Sequence, residues 1–469
     1  MTQKSRFALF VGNRGMFPPQ LIAEPRRDIP ALLRSWGHEV LVMPEEATRY
    51  GAVETAEEGR KYARFLDEHR GEFDGVILSL PNFGDENGAL AALQDAGVPI
   101  LIQAYPDDMD KMQPALRRDA FCGKMSVMDI FVQAGVQFTI RKPHVVSPQD
   151  PQFAETIDYF DRVCRVTKGL SRMVVGAIGA RTTPFKTVRV DEVALQRAGI
   201  TCETLDLSEV FARVKDLAAD APALAAKKKQ LAGFASWEAV PERAMEQLAR
   251  LATILDEIIA EYQMDALAIR CWNEMEHALG VSPCVLLGLL NDCGIPAACE
   301  VDVAGAIAMY ALSLASGEAP ALLDWNNNYG QEDDKCILFH CGPVPASLMA
   351  GQGTVTDHAI LANAIGEGKS YGPNQGRIKP MDMTYAGLLT QEGRLRFYLG
   401  EGRFTEDPIP TEFFGCAGVA EIPGLQDVLL HLGRTGYRHH VSITPGHVME
   451  AVAEAVGYYL GHDVDLFRC

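Results

Sequence analysis

No stretch of this 469-residue chain approaches the roughly 20 consecutive apolar residues of a membrane-spanning helix, which argues against a helical membrane protein. The opening Met-Thr-Gln-Lys runs into a short strand-like segment rather than a charged and then apolar leader, so no signal peptide is expected and a cytoplasmic location is the default. Paired CxxC cysteines are missing. The eleven cysteines are scattered, several of them inside apolar runs such as Pro296-Ala-Ala-Cys299, a pattern of reduced, packed thiols rather than disulfides or a zinc site. Positive charge is scarce: 62 acidic residues against 43 basic ones leave a net charge of −19, which speaks against a nucleic-acid surface. A GxGxxG loop is also absent. Gly12-Asn-Arg-Gly15 follows the first apolar run, but Met-Phe-Pro-Pro succeeds it, so a nicotinamide oxidoreductase fits poorly.

What is present is the grammar of an α/β protein. Phe7–Val11, Glu39–Met43, Gly75–Leu80 and Ile100–Gln103 are short apolar runs separated by amphipathic stretches, the pattern of a parallel sheet covered by helices. The rhythm restarts at Met173–Gly179 and Thr201–Leu207. It returns after a long helical region, Ala239–Tyr262, with Ala266–Ile269 and Ile295–Cys299. Beyond about residue 325, Gly and Pro become frequent and runs such as Cys336–Phe339 and Leu395–Leu399 lack long intervening helices. The prediction is two parallel α/β domains, 1–168 and 169–325, then a β-rich, barrel-like C-terminal domain, 326–469, closed by a helix after Gly446. Lys227-Lys-Lys229 reads as a solvated helix face.

Near the C-terminus, Arg438-His-His-Val-Ser-Ile-Thr-Pro-Gly-His447 packs three histidines into ten residues. As a strand, it places His439, Val441 and Ile443 on a core-facing side and Arg438, His440, Ser442 and Thr444 on a polar one. His440 is then the candidate ligand or acid–base group and His439 a packed histidine. His447, at a helix start, reads as structural. Two carboxylates have strand-end settings: Glu300 after Ile295–Cys299, directly before Asp302, a helix-capping residue, and Asp324 before Trp325-Asn-Asn-Asn328. Two carboxylates and an imidazole suit Mn²⁺ or another divalent ion. Carboxylates are plentiful in an acidic chain, so this grouping alone does not outweigh solvated side chains.

Cys299-Glu-Val-Asp-Val-Ala-Gly305, Leu323-Asp-Trp325 and His439-His440 with Gly446-His447 together resemble the L-fucose isomerase and L-arabinose isomerase family, in order and spacing over nearly the whole chain. The resemblance implies two Rossmann-like domains ahead of the β-rich one and Mn²⁺ held by Glu300, Asp324 and His440. It further implies a homotrimer or homohexamer in which a neighbouring subunit's first domain, through Arg14, completes the site. The activity implied is aldose–ketose isomerisation of a sugar related to L-fucose, D-arabinose or L-arabinose. Moving a proton between C1 and C2 needs a base, an acid and a holder for enediolate charge, which assigns Glu300 as base and Asp324 as its counterpart.

Trp272, Asn273 and Glu274, after Ala266–Cys271, are candidates to shape a sugar pocket, and His340 resembles a histidine of the arabinose branch. Arg14, Arg181 and Arg438 sit near loops that can face a pocket, so an anionic sugar, sulfonated or phosphorylated, is the alternative substrate. A non-catalytic sugar-binding protein is the alternative of another class, and it leaves the ligand triad and the third domain without a purpose.

Overall fold

The computed structural model describes residues 3–468 and divides into two compact units, one ending at Lys168 and the other beginning at Gly169. In the first unit, β1 (Arg6–Val11), β2 (Glu39–Val42), β3 (Gly75–Leu80) and β4 (Ile100–Ala104) form a parallel sheet in the order β2-β1-β3-β4. The central strands are apolar at nearly every position because helices cover both faces of the sheet. Helix Ala56–Glu68 is capped by Thr55 and helix Glu86–Leu93 by Asp85. These two helices meet closely, since a Cβ on Gly59 would run into the Gly88 carbonyl.

The second unit opens with a parallel sheet in the order β6-β5-β7-β8, made of β5 (Val174–Ile178), β6 (Thr201–Leu205), β7 (Ala266–Ile269) and β8 (Ala297–Cys299). The long helical region expected over Ala239–Tyr262 is the helix Glu242–Glu261, which starts after Pro241 and is preceded by a further helix, Pro222–Phe234. Lys227 and Lys228 pair with Asp256 and Glu246 along these helices.

The remaining strands are β9 (Ala321–Asn328), β10 (Lys335–His340), β11 (Thr354–Val355), β12 (Asn374–Arg377), β13 (Met381–Gln391), β14 (Arg394–Phe404), β15 (Cys416–Glu421), β16 (His440–Pro445) and β17 (Asp463–Phe467). They form one nine-stranded sheet, in which β15, β10, β9, β16, β13 and β14 are antiparallel neighbours and the β14–β15 pairing closes them into a ring. The β-rich, barrel-like expectation is met. The chain does not close on a helix: Met449–Ala453 and the turn Glu454–Tyr459 lead into β17, which lies parallel to β14. Arg396 grips Asp465 of β17 through two hydrogen bonds of 2.9 and 2.8 Å.

Helix Val303–Ser316 joins the two sheets of this unit. It is buried at nearly every position because β5, β7 and β8 flank it on one side and β13 and β16 on the other. The boundary expected at 325 falls inside β9, a strand of the ring. Among the described residues no helix is long and apolar enough to cross a membrane.

Candidate metal centre

Strand β8 stops at Cys299, and the next two residues, Glu300 and Val301, both take left-handed backbone angles, φ 63° and 59°. That conformation costs a non-glycine residue about 1–3 kcal/mol, and most for a β-branched one. It turns the chain sharply between the strand and the cap of helix Val303–Ser316, leaving Glu300 at the sheet end. Asp324 and His440 reach the same place by register: β9 and β16 run antiparallel, and His440 stands directly opposite Asp324. His340 ends β10, the other neighbour of β9.

His440 is 2% exposed and forms the hub. Its Nε2 lies 2.9 Å from Glu300 Oε2 and 3.5 Å from Asp324 Oδ1, while Nδ1 lies 2.8 Å from Asp302 Oδ2. Asp302 also accepts from the Gly305 amide at 3.0 Å and pairs with Arg438. Trp272 Nε1 donates to Glu300 Oε1 at 3.1 Å, fixing one carboxylate oxygen and leaving the other turned to the hub. Glu300 Oε2, Asp324 Oδ1, His340 Nε2 and His440 Nε2 are buried and none has a partner in hydrogen-bond geometry. Buried polar atoms are rarely left so. Within 4.8 Å of one another lie the donor atoms of Glu300, His340 and His440, and likewise those of Asp324, His439 and His440. Orphaned carboxylate oxygens and imidazole nitrogens at such spacing fit a divalent cation.

Electrostatics point the same way. Burial works against a charged His440, but the Asp302 and Glu300 carboxylates outweigh it and push the imidazole up to about 10. His340 is likewise opposed by burial and raised to about 9 by Cys341 and then Asp324 and Glu300. The cluster therefore demands positive charge, from protons or from a cation that displaces them. Burial raises the Asp324 carboxyl and Glu300 adds to the effect. Burial presses Glu300 the same way, yet His440 beside it and His340 hold it below the ordinary value.

A cavity of about 240 Å³ opens beside these groups, with Trp272, Phe339, Phe414, Ile360 and Leu361 as apolar wall and His340 and His358 as polar wall. Phe185 packs edge-on against Trp272 and His439, with ring centres 5.5 and 5.3 Å away, and tilted against His440 at 5.9 Å.

Other expected residues are placed differently. His439 is exposed rather than packed, with Nε2 3.6 Å from Asp324 Oδ1, because β16 begins only at His440 and the strand alternation does not extend back to it. Arg438 does not face the cavity: it is 7% exposed and its charge is taken by Asp302. Asn273 precedes helix Glu274–Leu279 and does not line the cavity, and Glu274 pairs with Arg270. His447 is exposed, 3.3 Å from Glu401. In the first unit, Arg14 stacks on Phe83 at 4.2 Å, donates to the Gly84 carbonyl and pairs with Glu86 at 2.8 Å. Sequence reasoning saw Asp302 only as a cap and missed its hold on His440. Its signal was the Glu-x-Asp spacing, whereas Phe185 had none.

The family model described as fucose/sulfoquinovose isomerase, N-terminal domain, matches residues 8–171, and that described as L-fucose isomerase, C-terminal domain, matches residues 338–468. The sulfoquinovose isomerase of Priestia aryabhattai is 25% identical over 397 residues, covering 83% of this chain and 85% of that protein. That of Alkalicoccus urumqiensis is 24% identical over 397 residues with the same coverage of 83% and 85%. The sulfoquinovose isomerase of Clostridium sp. (strain MSTE9) is 26% identical over 203 residues, 43% of this chain and 45% of that protein. Glu300 and Asp324 fall between the two model matches and His440 inside the second.

Proposed function

The chain belongs to the fucose/sulfoquinovose isomerase family of aldose–ketose isomerases, and on that premise we propose that it converts an open-chain anionic aldose to its ketose. The relatives' names favour a sulfonated sugar of the sulfoquinovose kind over a neutral sugar related to fucose or arabinose. The observation that supports the reaction is that Glu300 Oε2 and Asp324 Oδ1 each approach the buried His440 Nε2, at 2.9 and 3.5 Å, beside a cavity.

Glu300, Asp324 and His440 would hold the ion, read here as Mn²⁺. When bound, it supplies the positive charge that stabilises the developing enediolate oxygens. Glu300 takes the proton from C2 of the open-chain sugar and returns it to C1, while Asp324 handles the hydroxyl proton. The opposite displacement of the two carboxyls supports that division. Trp272 fixes the aim of Glu300, Asp302 fixes the tautomer and orientation of His440, and the apolar wall keeps water from the enediol. No Arg or Lys lines the cavity among the described residues, and Arg438 is committed to Asp302. The anionic group is assigned to Arg181, in the loop that carries Phe185, and to Arg14 of a neighbouring subunit in a trimer or hexamer, which would exchange its pairing with Glu86 for the substrate's charge.

The test is ketose formation by EDTA-stripped enzyme with and without Mn²⁺, on sulfoquinovose, L-fucose and D-arabinose. Turnover should require metal, and kcat/KM should favour the sulfonated sugar by about 10- to 100-fold, the worth of one charge-assisted hydrogen bond. Preference for a neutral sugar would refute the substrate, and equal turnover without metal would refute the centre.

A further inference from the structure

A second group of reactive side chains lies against the same cavity, and isomerisation leaves it idle. Cys271 follows β7, Cys284 opens helix Cys284–Asp292, Cys299 ends β8 and Cys341 follows β10, and Cys299 is within thiol contact of the other three. Cys284 Sγ and Cys341 Sγ are 3.5 Å apart, and both are free thiols. That gap is about 1.5 Å longer than a disulfide bond. Their surroundings differ in a useful way. Cys271, Cys284 and Cys341 all border the cavity, but Cys341 is half-buried whereas Cys271, Cys284 and Cys299 are at most 4% exposed. A small oxidant entering the cavity therefore meets Cys341 as the most exposed of these thiols, with Cys284 3.5 Å away to resolve it.

We propose that Cys341 and Cys284 form a reversible disulfide driven by hydrogen peroxide at the wall of the sugar cavity. Cys341 sulfur attacks one peroxide oxygen and the O–O bond breaks. Sulfur is left as a sulfenic acid, and the other oxygen leaves as water with the thiol proton. Cys284 sulfur then attacks Cys341 sulfur, the S–O bond breaks, and the hydroxyl leaves as a second water with the proton of Cys284. Two thiols are oxidised and one peroxide is reduced to two waters.

The consequence reaches the centre through the chain itself. Cys341 follows His340, whose Nδ1 accepts the Cys341 amide at 2.9 Å and lies 3.2 Å from its sulfur. Drawing Cys341 toward Cys284 breaks this arrangement and turns the His340 ring from the cavity. Loss of turnover rests on the isomerase reading above, but formation of the cross-link does not.

The experiment exposes full-length, Mn²⁺-loaded enzyme to hydrogen peroxide, blocks residual thiols by alkylation and identifies linked peptides by mass spectrometry, with activity followed in parallel. A Cys284–Cys341 peptide should accumulate in step with the loss of turnover, and dithiothreitol should reverse both. In Cys284→Ser, each rate being normalised to the variant's own untreated value, the linked peptide should vanish and inactivation should resist dithiothreitol as Cys341 passes to the sulfinic acid. Absence of the peptide in oxidised wild-type enzyme, or linkage of Cys341 only to another cysteine, would overturn the proposal without touching the isomerase reading. Should the enzyme turn over none of the sugars, the peptide still decides the matter.

Discussion

Replacing Asp302 by Asn separates the charge of this residue from its shape. Asp302 is completely buried, with Oδ2 2.8 Å from His440 Nδ1 and Oδ1 shared between Arg438 and the Gly305 amide. Burial works to raise its carboxyl, but Arg438 and then His440 overrule it and hold the group far below the ordinary carboxylate range. Asn preserves the helix cap, since it caps about as well as Asp. Two separate losses should follow. Arg438, 7% exposed, is left without a counter-charge, and breaking one side of such a buried pair costs about 3–5 kcal/mol of stability. The imidazole loses its carboxylate partner, which costs about 10- to 100-fold in metal affinity. The double variant Asp302→Asn with Arg438→Met tells the two apart. Removing both charges should restore most of the stability measured by urea unfolding in chelator, while the Mn²⁺ dissociation constant measured by calorimetry stays raised in both variants. Wild-type Mn²⁺ affinity in either variant would refute the role of Asp302 as the partner that orients His440. A double variant as unstable as the single one would refute the charge argument.

Two further outcomes follow from the same geometry. Glu300→Gln should lower turnover by about 10²- to 10⁴-fold, the range for removing a general base. It should also abolish the gain in thermal stability that Mn²⁺ gives the wild type, about 2.7 kcal/mol at one hundred times the dissociation constant, as read by melting with and without EDTA. Equal metal-induced shifts in the two proteins would remove Glu300 from the ligand set. Glu276 supplies a pH signature of its own. Burial pushes its carboxyl from 4.5 up to about 7 against the Ser282 hydroxyl, 2.8 Å away, so the folded chain keeps the proton after the unfolded chain has released it. Stability should therefore fall as pH rises from about 4.5 to about 7, by about 3 kcal/mol in all, and level off above. Urea unfolding of Glu276→Gln against wild type across that window should show the slope only in the wild type, and parallel profiles would refute it.

The sheets and the site differed in how far sequence revealed them. β1, β3 and β4 could be read because a strand covered on both faces is a continuous apolar run. Closure of the ring could not, because the β14–β15 pairing rests on two register pairs, Arg403 with Glu421 and Phe404 with Ala420, and leaves no local pattern. Glu300 was found as a strand-end residue and His440 from strand alternation, whereas Asp324, expected at a strand end, lies inside β9, which runs on to Asn328; the meeting of Asp324 with His440 depends on the β9–β16 register, which only the fold supplies. His439 was assigned to the core by extending strand alternation back from His440; its carbonyl still accepts the Trp325 amide of β9 at 2.9 Å, but its side chain is exposed at the start of the strand. Arg438 looked available to an anion for a related reason. An arginine near a pocket reads the same in sequence whether it faces a ligand or a buried acid, and its acid lies 136 residues earlier in the chain.

That buried acid explains why the centre can be held to the precision proton transfer needs. Helix Val303–Ser316 lies between the parallel sheet and the ring, and Asp302 is its cap, so the carboxylate is fixed by a deeply packed helix. The positive end of the helix dipole favours its charge, as does Arg438. There is no slack around it: a Cβ on Gly305 would stand 2.5 Å from Asp302 Oδ2 and 2.9 Å from Leu322 of β9. Through Asp302 the packing of the core is passed to His440 on β16, and through Leu322 to the strand that carries Asp324. Glu300, held by the left-handed turn at one end of this assembly, and His440, held by the cap, are thus positioned by the same helix start, although 140 residues of chain separate them. A rearrangement of helix against ring would displace Glu300 and His440 together, which would make the proposed metal centre a reporter on the packing of the second unit.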